Sequence, residues 1–324
     1  PPKGGAPPAY AKLSDIARRV GGSAATAELR VGGSVDALLR QVVGPFVEKA
    51  PDPKRDALVA TVDKALSDVM RSVLHQPEFQ NLESLWRGLD MLLRRIETGP
   101  SLQVHLIDIS AEEFAADLSS VSDLSETGLH SLLVDKPSQE KNGGYSLICG
   151  LFNFEATPPH AELLGRMAKI AAAAGAPFVT AIASDAFMDK KRAPHPLVLQ
   201  AMNALRGLPE AGALALLSPR FMLRHPYGKR SDPISSFTFE EFTAADGLRG
   251  MLWGHPALIA ASILAAPTGK TLSIGDIPFH YFTDADGDQI ALPCTERLIP
   301  TDIAARLRGF GITALMAHKG QPEL

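Results

Sequence analysis

Near residue 100 the apolar periodicity of this chain changes from three-and-four to two, and that change narrows its fold more than any other feature. Before it, stripes recur at helical spacing. Leu13, Ile16, Ala17 and Val20 form a short one ended by Gly21 and Gly22, and Leu38, Leu39, Val42, Val43 and Phe46 form a second behind a plausible N-cap at Ser34, weakened near its end by Gly44-Pro45. A third follows Pro53 with Leu58, Val62, Ala65, Leu66, Val69 and Val73. The stretch HQPEFQNLESLWRGLDMLLRR, residues 75–95, is the clearest helix: Pro77 suits its first turn, Glu78 and Glu83 lie toward its positive end, and Arg94 and Arg95 lie at its negative end. Phe79, Leu82, Leu85, Trp86, Leu89, Leu92, Leu93 and Ile96 line one side of it, and that side requires cover.

After residue 100 the runs LQVHLIDI, YSLICGLFNF and APFVTAIAS read as strands. Ser110 and Glu113 form an S-x-x-E capping box for a helix between the first two, and Thr157 with Pro158 opens a helix between the second and third. Strands alternating with helices demand parallel neighbours, because a parallel connection needs a crossover. Further on, GALALLSPRF reads as a buried strand, Leu252 to Leu264 as a helix, LSIGDIPFHYF and DQIALPC as a hairpin about TDADG, and Thr301 to Leu307 as a helix before a last strand, ITALMAH. The expected fold is therefore α/β: an N-terminal helical region, then a mixed, partly parallel sheet flanked by helices, with a C-terminal β-hairpin. Residues 1–33 read as a linker-like, partly helical segment, 34–98 as the helical region and 99–324 as the α/β domain. The opening PPKGGAPPAY resembles a linker, or the first ordered part of a longer polypeptide.

Charge argues against nucleic acid as the main partner: 32 Lys and Arg face 36 Asp and Glu, leaving no cationic excess to release counterions from a phosphate backbone. No apolar run approaches the roughly 18 residues of a membrane span, and no charged-then-apolar leader opens the chain. Cys149 and Cys294 lie far apart, outside any C-x-x-C spacing, and read as reduced, buried thiols. These features place the chain in a cytoplasm.

Signatures of chemistry are sparse. APTGKT, residues 266–271, ends like a phosphate-binding loop, but Leu264 stands where the first glycine is required. DADGD, residues 284–288, has its glycine before the third acid, where a calcium loop needs it after, and Thr295 at the twelfth place, so a turn is the better account. The nine histidines include no H-x-H or H-E-x-x-H pair, and no G-x-S-x-G elbow occurs. No cofactor, metal or catalytic residue is expected. An α/β enzyme with its ligand at the carboxyl ends of the strands, near Ser110, Phe154 or Ser184, stays as an alternative.

A Trp and a Phe at helical spacing usually mark core, and such faces also make obligate interfaces. Phe79, Leu82, Trp86 and Leu89 are accordingly candidates for packing or for a partner interface. The order of several short motifs then carries a resemblance: HQPEFQNLESLWRGL (75–89), APFVTA (176–181), SPRFMLRHPYG (218–228), LWGHPA (252–257), GDIPFHYF (275–282) and TDIAARLRGFGITAL (301–315) with KG (319–320). From about Val35 to Gly320 the chain resembles the large sheath subunit of bacterial type VI secretion systems, the TssC/VipB/ImpC family. The resemblance implies a structural, non-catalytic protein. It would pair with a small sheath subunit of the TssB/VipA type and stack with copies of itself into a cytoplasmic helical tube that contracts to propel an inner tube. It also implies an AAA+ unfoldase as a partner, reading an N-terminal helix whose position here holds Leu38, Leu39, Val42, Val43 and Phe46. The family continues past the closing KG with a further long region; either that region lies outside this sequence, or the chain is a shortened relative acting as adaptor or regulator of the same apparatus, which is the second reading.

Overall fold

The computed structural model describes residues 53–140, 143–266, 273–284 and 286–324. The linker-like segment 1–33, the helix expected from Ser34 and its unfoldase candidates Leu38, Leu39, Val42, Val43 and Phe46 lie outside the described residues, as do residues 267–271 of APTGKT.

Two long helices come first, α1 (Pro53–Leu74) and α2 (Pro77–Arg95), then α3 (Ala111–Ser120) and a run of short helical turns between Leu124 and Gln139. The alternating part follows: β1 (Ile148–Phe154), α4 (Pro158–Ala174), β2 (Phe178–Ile182), α5 (Pro196–Arg206) and β3 (Leu214–Ser218). Short strands β4 (Phe221–Met222) and β5 (Trp253–Gly254) precede α6 (Pro256–Ala265), then come β6 (Tyr281–Thr283), β7 (Gln289–Ala291), α7 (Thr301–Gly309) and β8 (Ile312–Ala314).

The main sheet has the order β1-β2-β3-β8 and all its pairs are parallel; β4–β5 and β6–β7 are separate antiparallel pairs. Alternation along the strands feeds two cores. Phe178, Ile182, Leu216 and Ile312 point into one with Phe114 of α3, Leu164 and Met167 of α4, Met202 of α5 and Leu307 of α7. Val179 and Leu217 point the other way, to Ala257 and Ile259 of α6, while α2 covers α6 through Leu92 against Leu258 and Ala261. Helices thus cover both faces, the arrangement that buried parallel strands require.

β1 carries an irregularity between Gly150 and Asn153, which takes two carbonyls out of ordinary ladder geometry. The fully buried Thr180 hydroxyl answers them, donating to Gly150 O at 2.8 Å and Phe152 O at 3.0 Å. Gly150 is required beside it, because a Cβ there would overlap the Phe178 ring.

The capping box at Ser110 and Glu113 is present with both hydrogen bonds, at 3.1 and 2.9 Å. Thr157 occupies the N-cap position of α4 without a side-chain bond. Asp284 Oδ1 accepts from the backbone N–H of Asp286 and Asp288, and Gly287 has φ of 91°, so the acidic run is a turn between β6 and β7. Cys149 and Cys294 are free thiols, and burial pushes both up to about 11.

One expected strand is absent. In LQVHLIDI only Leu102 makes a bridge, to Gly99, and residues 103–110 belong to no helix or strand. Alternation shows that a segment has two faces, whereas a strand needs a ladder partner. Val104, Leu106 and Ile107 are exposed, and of this segment's apolar side chains Ile109, next to the capping box, packs against the main core.

Candidate functional site

Helix α2 has two unlike faces. On the inner one Gly88 and Leu92 are buried, and Gly88 lets α6 approach so closely that an added Cβ would overlap Leu258 Cδ1. On the outer one Trp86 is 64% exposed, Leu82 55% and Phe79 40%, with Leu89 half-buried at the margin. Helix α1 adds exposed Val62, Leu66, Val69 and Val73. Among the described residues, intramolecular cover is therefore realised for Leu92 and not for Trp86, Leu82 or Phe79. An apolar surface built from several large side chains on consecutive helices is what an interface presents before its partner arrives.

An ion-pair cluster anchors α2 beside this face. Arg224, 8% exposed, reaches Glu83 of α2 with Nε to Oε1 at 2.8 Å, and it grips the almost fully buried Glu241 through Nη1 at 2.7 Å and Nη2 at 3.0 Å. Its guanidinium lies over the Tyr227 ring at 4.4 Å, and Tyr227 N–H donates to Glu241 Oε2 at 2.8 Å. Arg87 completes the set, donating to Glu83 at 2.7 Å and to the Tyr227 hydroxyl at 2.9 Å. Two guanidiniums meet two carboxylates, so the charges cancel and the fork geometry is satisfied. Burial acts to raise the Glu83 carboxyl, but Arg224 and then Arg87 outweigh it and hold it below its usual range. Burial acts to lower the Arg224 guanidinium, and Glu241 with Glu83 reverses that too, driving it up. Two further staples fix α2: Ser84 Oγ donates to Trp253 O at 2.7 Å, and Arg95 donates to Gly275 O and Asp276 O at 3.0 Å each.

A cavity of about 480 Å³ lies outside the carboxyl ends of the strands, between the first turns of α2, Asn153 of β1 and the segments holding Arg220, Arg249 and Glu296. The residues expected to mark an enzyme site there have other work. Ser110 caps α3, Phe154 is core, and the buried Ser184 and Ser218 hydroxyls bond each other at 2.9 Å. His255 lines the cavity, but its Nδ1 accepts from Ala257 N–H and its Nε2–H donates to Phe152 O at 2.9 Å. Burial lowers this imidazole to about 4, which keeps it neutral. Among the described residues no group of three or more His, Cys, Asp or Glu side chains is placed to hold a metal, and no helix is long and apolar enough to cross a membrane.

Sequence spacing does not reveal the Arg224 clamp: Arg224 is followed by His225 and Glu241 is preceded by Glu240, so neither charge stands out from its neighbours.

The VipB family model, described as EvpB/VC_A0108, tail sheath N-terminal domain, matches residues 56–324. The type VI secretion system sheath protein TssC1 of Pseudomonas aeruginosa is 31% identical over 223 residues, covering 64% of this chain and 44% of that protein. The chain thus spans less than half the length of that curated relative.

Proposed function

The chain belongs to the VipB/TssC tail sheath family of type VI secretion, and from that premise we propose that it serves as the large subunit of a two-component sheath. A small sheath subunit of the TssB/VipA type covers the outer face of α1 and α2, and the paired subunits stack through heterologous contacts into a helical cytoplasmic tube. Contraction of that tube propels an inner tube, and an AAA+ unfoldase takes the contracted form apart. The role is structural rather than catalytic. The observation that carries this reading is the apolar face containing Phe79, Leu82 and Trp86, left exposed by the described residues on a helix anchored through Glu83, Ser84 and Arg95. Fully covering a side chain of this size is worth roughly 1.5–3 kcal/mol, so a partner has a strong reason to settle there.

Co-expression with a small sheath subunit tests it. The two chains should co-purify, and electron microscopy should show tubes or ring stacks. A monomer that ignores every small sheath subunit offered would sink the proposal, while a stable pair that never forms tubes would support the adaptor role instead.

A further inference from the structure

The cavity at the carboxyl ends of the strands has a chemistry of its own. Three guanidiniums line it, Arg220, Arg249 and Arg297, against one carboxylate, Glu296. Arg220 is committed to Glu296, with Nε to Oε2 at 2.9 Å, and Arg297 reaches outward to Asp185 at 2.7 Å. Arg249 has no carboxylate partner among the described residues; the hydrogen bond its guanidinium makes there is to Ala245 O at 3.3 Å. Asn81 and Asn153 also line the space, and their amides make no side-chain hydrogen bond to other described residues. With Arg220 paired to Glu296 and Arg297 to Asp185, and with His255 in the wall neutral, the uncompensated charge at the cavity is that of Arg249.

We propose that this cavity is a socket for an acidic peptide segment of another polypeptide. A carboxylate of that segment would pair with Arg249, and the Asn81 and Asn153 amides would bond its main chain. Size favours a peptide over a lone ion: about 480 Å³ falls in the range of pockets that hold whole ligands, whereas a single phosphate would leave most of it empty. Unengaged amide groups point the same way, since each offers both a donor and an acceptor, as a peptide backbone does. A guanidinium facing a carboxylate makes a charge-assisted hydrogen bond, stronger than one between neutral groups. The proposal does not rest on the sheath reading, because it concerns a recess separated from the outer face of α1 and α2 by the body of α2.

The test is titration calorimetry on the full chain with N-acetylated, C-amidated hexaglutamate as probe, and hexaglutamine and inorganic phosphate as comparisons. Hexaglutamate should bind and hexaglutamine should not. Arg249→Gln should weaken binding tenfold or more, and Asn153→Leu should weaken it by a smaller factor. Arg94→Gln, which removes an equal charge from the exposed side of α2, should leave it unchanged. Both Arg249 and Asn153 are exposed, so unchanged circular dichroism and melting should accompany the loss. Equal binding of hexaglutamine, insensitivity to both Arg249→Gln and Asn153→Leu, or full displacement by equimolar phosphate would each overturn the proposal.

Discussion

Leu258 of α6 lies against Gly88 of α2 with no room for a methyl group between them. This contact fixes the distance between the helix that presents the outer apolar face and the helix that lies on the sheet. Gly88→Ala gains helix propensity of about 1 kcal/mol but forces the Leu258 side chain aside, an overpacking cost of about 1–3 kcal/mol. The expected net is a loss of stability in urea unfolding, relieved when Leu258→Ala is added to the same chain. A Gly88→Ala variant as stable as the parent would show that α2 shifts freely.

Arg224→Ala removes the cation that faces Glu83 and Glu241 and strands a buried carboxylate. Breaking one side of such a buried pair costs about 3–5 kcal/mol, whereas exposed surface changes stay within about 0.5 kcal/mol. Arg224→Lys should recover only part of the loss, because one ammonium cannot make the two forked contacts. Chemical denaturation of the three proteins at neutral pH reads the order directly.

Acid should weaken the fold through two groups. The Glu83 carboxyl is held below its usual range in the folded chain, so its stabilising contribution is complete above the unfolded value and is lost as pH falls through the folded one. His255 is lowered to about 4 from an ordinary value near 6.5, so between these the unfolded chain binds the extra proton and stability rises with pH. His255→Gln should flatten the melting curve between about pH 4 and 6.5, the window set by those two values. An unchanged slope would mean that the ring becomes protonated without unfolding.

Trp86→Asp should separate folding from assembly. The side chain is 64% exposed, so the melting temperature should hardly move, while affinity for a small sheath subunit should fall at least thirtyfold, about 2 kcal/mol, the scale of a buried aromatic anchor. Loss of the monomer fold would instead identify Trp86 as core.

Thr180→Val keeps shape and removes one hydroxyl. Gly150 O then loses this donor while Phe152 O keeps His255 Nε2–H, and the stability should drop by about 1 kcal/mol by calorimetric melting.

How much of this was legible in the sequence follows from how far each signal reaches. Ser110 and Glu113 are three residues apart, and their capping box formed as expected. Period-two apolar runs placed β1 and β2, since Phe178 and Val179 enter opposite cores. The same rule failed at LQVHLIDI, where Val104, Leu106 and Ile107 alternate or adjoin in the right way but have no ladder. The His-Pro pairs hid a further local signal: His195 and His255 cap α5 and α6 through Nδ1, at 3.2 and 3.3 Å. The Arg224 clamp was illegible, because Glu83 and Arg224 are distant in the chain and meet only once the layers stack. The cavity is harder still, being made from five separate stretches.

The outer neighbour of β3 is β8, which pairs Ala314 with Ser218 only after the whole excursion through β4 to α7. During synthesis at about 5–20 residues per second, an open backbone edge waits for roughly a hundred residues to leave the ribosome, a delay of about 5–20 seconds. For that interval the nascent chain exposes an unpaired edge on which another emerging strand could pair, a hazard that ends when β8 arrives.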